Sequence, residues 1–163
     1  MEDLKLLSRP VNYLTYSVAA RDGKEHEVEV YFEASPRWAL DQPYQQSASK
    51  GYEADGLLYL KSGSKEQNIL AKQGDDLRID WGYFYMVAGK ENTAYSVGNS
   101  TELRKNFVNG TLNSASLERE DSNGNMALVR SYGKVKNVTD KIILGYDCLL
   151  YTSDAADEAR SVD

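Results

Sequence analysis

Cysteine and histidine are almost missing from this chain, and each shortage removes a class of function. Cysteine occurs once, at Cys148, and histidine once, at His26. Cys148 falls in a C-terminal tail set apart below. Without it, disulfides and thiolate chemistry are excluded, and the redox compartment is not legible. One histidine with no cysteine beside it leaves no tetrahedral zinc set. No Ser-His-Asp or Cys-His arrangement assembles around His26, and glycine-rich phosphate loops are absent, so no cofactor is expected. Apolar runs are also short, none approaching the roughly 20 residues of a membrane helix. The start, Met1-Glu2-Asp3-Leu4-Lys5-Leu6-Leu7, is too short and too acidic for a signal peptide. Excess positive charge is lacking as well. A formal charge of −6 provides no basic stripe for nucleic acid and nothing to hold an anionic membrane surface.

What is present is chain enough for one domain with a substantial core: 163 residues, 41% of them hydrophobic and 27% charged. The tail is a separate matter. Cys148-Leu149-Leu150-Tyr151-Thr152-Ser153-Asp154-Ala155-Ala156-Asp157-Glu158 resembles the conceptual translation of a transposon-type sequencing adapter, and Ser161-Val162-Asp163 fits its continuation. Residues 148–163 are accordingly expected to be an artefactual, disordered tail, outside any fold reasoning. The tail holds Asp154, Asp157, Glu158 and Asp163 against Arg160, which is half of the net −6. The domain to be explained is residues 1–147.

Within it the patterns are those of β-structure. Residues 11–19 are rich in β-branched and aromatic side chains. After the Asp22-Gly23-Lys24 turn, residues 26–34 alternate, with Val28, Val30 and Phe32 on one face and Glu27, Glu29, Tyr31 and Glu33 on the other. The two segments read as a hairpin, which Pro36 closes because it offers no ladder donor. Residues 41–55 read as a long loop, and 56–61 and 67–71 as short strands around a Ser62-Gly63-Ser64 turn. The longest strand is predicted over 77–88, where Leu77, Ile79, Trp81, Tyr83, Tyr85 and Val87 share a face and Gly82 marks a bulge. One short helix is predicted from a Ser100 N-cap, with Leu103 and Phe107 at i and i+4 and Gly110 at the left-handed C-terminal position. A polar, turn-rich stretch over 111–125 precedes strands at 126–137 and 140–146. Short strands, turns and one helix predict a mainly β fold: an antiparallel β-sandwich, truncated at its C-terminus.

Two clusters stand out as ligand or interdomain candidates. Asp75, Asp76 and Asp80, with Arg78 between them, have the chemistry of a carboxylate pair or of a hard-oxygen calcium site. The spacing is not that of an EF-hand, and a turn entering a strand, with Arg78 paired to an acid, explains the same residues. Trp81, Tyr83 and Tyr85 form an aromatic stripe at strand spacing. Such a stripe serves as core, as domain interface or as a sugar-stacking platform. Three Asn-X-Thr or Asn-X-Ser triplets, at Asn99, Asn109 and Asn137, matter only in a eukaryotic secretory pathway.

Four segments, in order, carry a family resemblance. The first is Arg9-Pro10-Val11-Asn12-Tyr13-Leu14 with Asp22-Gly23-Lys24-Glu25-His26-Glu27-Val28 and Tyr31-Phe32-Glu33-Ala34-Ser35. The second is Lys72-Gln73-Gly74-Asp75-Asp76-Leu77-Arg78-Ile79-Asp80-Trp81-Gly82-Tyr83, the third Leu103-Arg104-Lys105-Asn106-Phe107-Val108-Asn109-Gly110, and the last Leu144-Gly145-Tyr146-Asp147. This series resembles the N-terminal β-sandwich domain of the glutaminase A family. The resemblance implies a large, exported amidohydrolase, periplasmic or extracellular, that converts glutamine to glutamate and ammonia. In that arrangement a helical-toroid catalytic domain follows the sandwich and is the partner it packs against. No catalytic residue of the family maps onto residues 1–147. The expectation is therefore a non-catalytic domain fragment, with a carbohydrate-binding β-sandwich module as the alternative.

Overall fold

A strand whose apolar side chains alternate buries one face and leaves the other to water or to a partner. That period recurs through most of this chain. The computed structural model describes residues 10–71, 73–75, 81–112, 118–121 and 123–147. In chain order the elements are β1 (Val11–Ala19), β2 (His26–Ala34), a 3-10 turn (Pro36–Ala39), β3 (Ser47–Ala54), β4 (Leu57–Ser64), β5 (Tyr83–Gly89), β6 (Thr93–Gly98), α1 (Ser100–Val108), β7 (Glu118–Asp121), β8 (Asn125–Val135) and β9 (Asn137–Asp147). The strands form two antiparallel sheets, one ordered β1-β9-β5-β4-β3-β7 and a smaller one ordered β2-β8-β6. Among the described residues, the expected antiparallel β-sandwich with one α-helix is the fold observed.

The core lies between the sheets. Leu58, Leu60, Phe84, Met86 and Ile142 from the large sheet meet Tyr95, Val97, Met126 and Leu128 from the small one, all buried. The other face of the small sheet is covered by α1. There Leu103 is buried with Ala127 and Val129, and Phe107 stacks on Tyr31 at 4.9 Å between ring centroids. The helix begins one residue earlier in capping terms than expected. Asn99, not Ser100, is the N-cap, and its side-chain oxygen accepts from the Thr101 N–H at 2.9 Å. Gly110 takes the left-handed conformation predicted for it, with φ +65°.

Several expectations are corrected. β1 and β2 are not a hairpin: β1 pairs with β9, and β2 pairs with β8, in different sheets. Alternation marks a half-buried strand but does not name its partner, and the Asp22-Gly23 turn carries the chain from one sheet to the other. Residues 41–55 are not all loop, since β3 occupies their second half. Its inward positions are Ser47, Ser49 and Gly51, too small and polar for a hydrophobic period to register. Gly51 is small because a Cβ there would meet the Tyr95 ring at 2.6 Å. Ser49 and Ser62 share a buried hydrogen bond of 2.8 Å across the β3–β4 pair.

The Ser62-Gly63-Ser64 segment is likewise the end of β4, not a turn, and residues 67–71 are not a strand. Gly63 lets Gly82 and Tyr83 close over it, for an added Cβ would lie 2.5 Å from the Gly82 carbonyl. Finally, β5 begins at Tyr83, and its buried parity is Phe84, Met86 and Ala88. Gly82, at φ +91°, turns the chain into the strand ahead of that point rather than bulging it midway. Positions 77–80 lie outside the described residues.

One end of the sandwich is tied by a polar clamp. The Arg130 guanidinium on β8 donates to Asp140 Oδ2 on β9 through Nε at 3.0 Å and Nη2 at 2.8 Å. Arg130 Nη1 also reaches the carbonyls of Gly89 at 2.8 Å and Glu91 at 2.6 Å. Tyr132 donates to the same Asp140 oxygen at 2.6 Å, and the Tyr16 and Tyr132 hydroxyls are hydrogen-bonded to each other.

Candidate functional site

Because Leu58, Leu60, Phe84 and Met86 point into the core, their neighbours in β4 and β5 must point outward. Those neighbours are Tyr59, Lys61, Tyr83 and Tyr85, half-buried on the outer face of the large sheet. β3 adds Tyr52 directly opposite Tyr59, and the two rings stack at 5.1 Å with 7° between planes. β1 adds Tyr13, 53% exposed, opposite Ile143.

A lysine sits in the middle of this face. Lys61 Nζ lies 3.5 Å from the centroid of the Tyr83 ring and 5.8 Å from that of Tyr85. Tyr83 and Tyr85 meet edge to face at 6.5 Å. Directly across from Lys61 is a second lysine, Lys50. Like charges so placed disfavour the pairing, so the ring contacts of Lys61 offset a local repulsion. At the β1 side Lys141 Nζ lies 5.1 Å from the Tyr13 ring.

The electrostatics follow from partial burial. Burial lowers the Lys61 pKa, Asp147 works against that, and Lys50 adds to it. Burial first, then the neighbouring Tyr52, Asp147 and Tyr83, pushes Tyr85 up to about 12. Tyr52 is raised too, by burial and then by Tyr59 and Asp147. The arrangement holds phenols neutral and rings half covered, which suits recognition of a surface more than bond-breaking chemistry.

A pH dependence follows. A tyrosine whose folded pKa is above the unfolded value of 10.0 adds stability that is complete below pH 10 and is lost as pH rises through the folded value, about 12 for Tyr85. Tyr31 and Tyr132 are raised as well, by burial and then by hydrogen bonds to Glu33 and Asp140. Tyrosinate absorbance from these residues should therefore rise together with loss of near-ultraviolet circular dichroism. Complete tyrosine ionisation near pH 10 with the dichroism intact would contradict it.

The residues singled out from the sequence are only partly brought together. Tyr83 and Tyr85 lie on this face as a pair, at the outward parity of β5, while Val87 at the same parity is buried. Trp81 precedes β5, and its indole Nε1 is buried with no hydrogen-bond partner among the described residues. Asp75 is exposed in the turn after Gly74. Asp76, Arg78 and Asp80 lie outside the described residues. Among the described residues no group of three or more His, Cys, Asp or Glu side chains is placed to hold a metal ion, and no helix is long and apolar enough to cross a membrane.

Tyr13, Tyr52, Tyr59, Lys50 and Lys61 escaped the sequence reading. A signal for two of them existed. Asp55 and Gly56 have φ of 50° and 75°, so the Asp-Gly pair makes the two-residue turn with both central residues left-handed that joins β3 to β4. Recognising it sets Tyr52 opposite Tyr59 by counting outward from the turn.

A family model described as "Domain of unknown function (DUF5127)" matches residues 1–149. Among curated proteins, the protein named Glutaminase A from Aspergillus oryzae (strain ATCC 42149 / RIB 40) is 28% identical over 114 residues, covering 68% of this chain. The chain spans 16% of that relative's length.

Proposed function

The chain belongs to the domain family DUF5127, and from that membership we propose that it is a non-catalytic N-terminal β-sandwich of a glutaminase-like amidohydrolase, the class of enzyme that converts glutamine to glutamate and ammonia. The similarity to a protein named Glutaminase A supports the parent activity. The observation that carries the role of this domain is the outer face of the large sheet, where Tyr13, Tyr52, Tyr59, Tyr83 and Tyr85 stand together. Such rings bury roughly 150–250 Å² each when fully covered, and since most of these are already half covered, the five supply part of the area, about 800 Å² per partner, of a stable interface. In this reading the face packs against the helical catalytic domain of the same parent, and residues 148–163 are adapter-derived and take no part.

The carbohydrate-module alternative would use the same rings. Against it, the Lys61 ammonium lies over the Tyr83 ring at 3.5 Å, on the surface a sugar would need.

The test has two arms. Reading the source DNA past the Asp147 codon should reveal a long open frame of helical periodicity in place of Cys148–Asp163. A genomic stop after Asp163 overturns the parent reading. Separately, the purified chain should release no ammonia from glutamine above the buffer rate, and release abolished by mutation within residues 10–147 overturns the non-catalytic role.

A further inference from the structure

At the end of the sandwich opposite the Arg130 clamp, two loops flank an open cavity of 340 Å³. One loop runs from the 3-10 turn to β3 and contributes Gln42, Tyr44 and Gln46. The other follows β4 and contributes Ser64, Glu66 and Asn68. Every one of these side chains ends in a hydrogen-bonding group, and one carries an aromatic ring. Tyr44 is 79% exposed.

The frame of this cavity is fixed by the backbone. The Lys65 N–H donates to the Gln46 carbonyl at 2.9 Å, which ties the loops together. Gln67 holds a left-handed conformation, φ +46°, that a non-glycine residue adopts at a cost. Its carboxamide is locked by three bonds: it donates to the carbonyls of Ser64 at 2.7 Å and Gly82 at 3.1 Å, and accepts from the Gly82 N–H at 2.6 Å. Within the first loop the Gln42 N–H donates to Gln45 Oε1 at 2.8 Å. In the second, the Asn68 carboxamide donates to one Glu66 oxygen at 2.8 Å, which orients the carboxylate and leaves its other oxygen available. By contrast, no hydrogen bond links the Gln42 or Gln46 carboxamide, or the Tyr44 hydroxyl, to another described side chain.

The ligand class follows from what these groups satisfy. Each carboxamide offers a donor and an acceptor, a carboxylate accepts, and hydroxyls both donate and accept. An apolar ligand would leave them dry and unpaired. An anion would find no cation in the lining, since the nearby Lys65 is paired with Glu120 at 2.9 Å. A neutral compound with several hydroxyls and one apolar face matches both the amides and the Tyr44 ring. We propose that this cavity is a binding site for a neutral saccharide unit, with Tyr44 stacking on the ring and Gln42, Gln46 and Glu66 bonding its hydroxyls. This assignment is independent of the glutaminase reading and uses none of the residues of the tyrosine face.

An open cavity that buries one ring predicts dissociation constants on the order of 1 mM. The experiment is a titration of the isotopically labelled whole chain with methyl glycosides of the gluco, galacto, manno and N-acetylglucosamine series, following side-chain amide signals. At least one glycoside should shift Gln42 and Gln46. Tyr44→Ala and Gln46→Ala should each weaken that binding about ten-fold, while Lys105→Ala, on the exposed side of α1, leaves it unchanged. The backbone spectrum of each variant reports whether it is folded, and Tyr44 is exposed enough that its loss should leave the fold intact. Silence from every glycoside, or binding that both substitutions leave untouched, overturns the site. L-glutamine is the competing probe: shifts at Gln42 and Gln46 from glutamine alone overturn the saccharide assignment in favour of carboxamide recognition.

Discussion

Asp140→Ala is expected to destabilise the sandwich by about 3 kcal/mol, the scale for breaking a largely desolvated ion pair. Arg130 and Asp140 are only 15% and 25% exposed in their side chains, so water replaces little of what is lost. Asp140 accepts from Arg130, from Tyr132 and from the Lys141 N–H. Its removal leaves the guanidinium between the two sheets without its counter-charge, and the Tyr132 hydroxyl with only that of Tyr16. Urea unfolding of the variant against the parent measures the loss, which at an m-value of about 1.5 kcal/mol/M is a midpoint shift of about 2 M. Arg130→Met combined with Asp140→Leu should recover most of it, because the cost lies in the unpaired charge rather than in the absence of a pair. A single-variant loss under about 1 kcal/mol would demote the clamp to a surface ion pair.

The same aspartate predicts how the protein responds to acid. Burial raises the Asp140 pKa, but the bonds from Tyr132, Lys141 and Arg130 outweigh it, and the net value is below the ordinary 3.8. A carboxylate depressed in the fold adds stability that is complete above its unfolded pKa and disappears as pH falls through the folded one. The parent should thus lose stability as pH falls below about 4, and Asp140→Asn should flatten that decline.

Phe84→Ala is the second large effect, about 3–5 kcal/mol for deleting a buried ring. Phe84 is 1% exposed, and its ring lies 5.3 Å from that of Trp38 and 5.2 Å from that of Tyr146. Tyr146 cannot readily follow the void inward, being fixed by its strand and by a hydroxyl that donates to the Trp38 carbonyl at 3.2 Å. Tyr85→Ala, one residue along, should cost about 1 kcal/mol, since that ring is only partly covered. Thermal denaturation of both variants decides the parity of β5. The reverse ranking would put the tyrosines inside.

That contrast locates the limit of what the sequence disclosed. Fold class, the helix over Leu103 and Phe107 and the last two strands were legible because each rests on a local period or cap. The facing of β5 was not. Six large side chains at one parity, from Leu77 to Val87, outweighed Phe84, Met86 and Ala88, yet the smaller set is the one facing the opposite sheet. Size favours burial, but position relative to the second layer decides it. Strand partners were illegible for a related reason: nothing local in Val11–Ala19 records that its hydrogen bonds go to Asn137–Asp147. Of the proposed surface, Tyr83 and Tyr85 were found by spacing, whereas Lys61, already within the strand read over 56–61, emerged only when the β4–β5 pairing set it opposite Tyr85.

The pairing of Val11 with Gly145 and of Ala19 with Asn137 has a kinetic consequence. Contacts so distant along the chain close slowly, because the loop entropy is spent before they form, and β-rich domains of this kind fold in milliseconds to seconds. As the chain emerges from a ribosome, β1 appears long before its partner β9 and stays unpaired until β9 follows. β5 likewise waits for β9, presenting an open edge beside Leu58, Leu60 and Met86 until β9 arrives. A nascent chain stalled before Asn137 would therefore be a target for chaperones or for strand exchange with a second copy, whereas one extended past Asp147 can close.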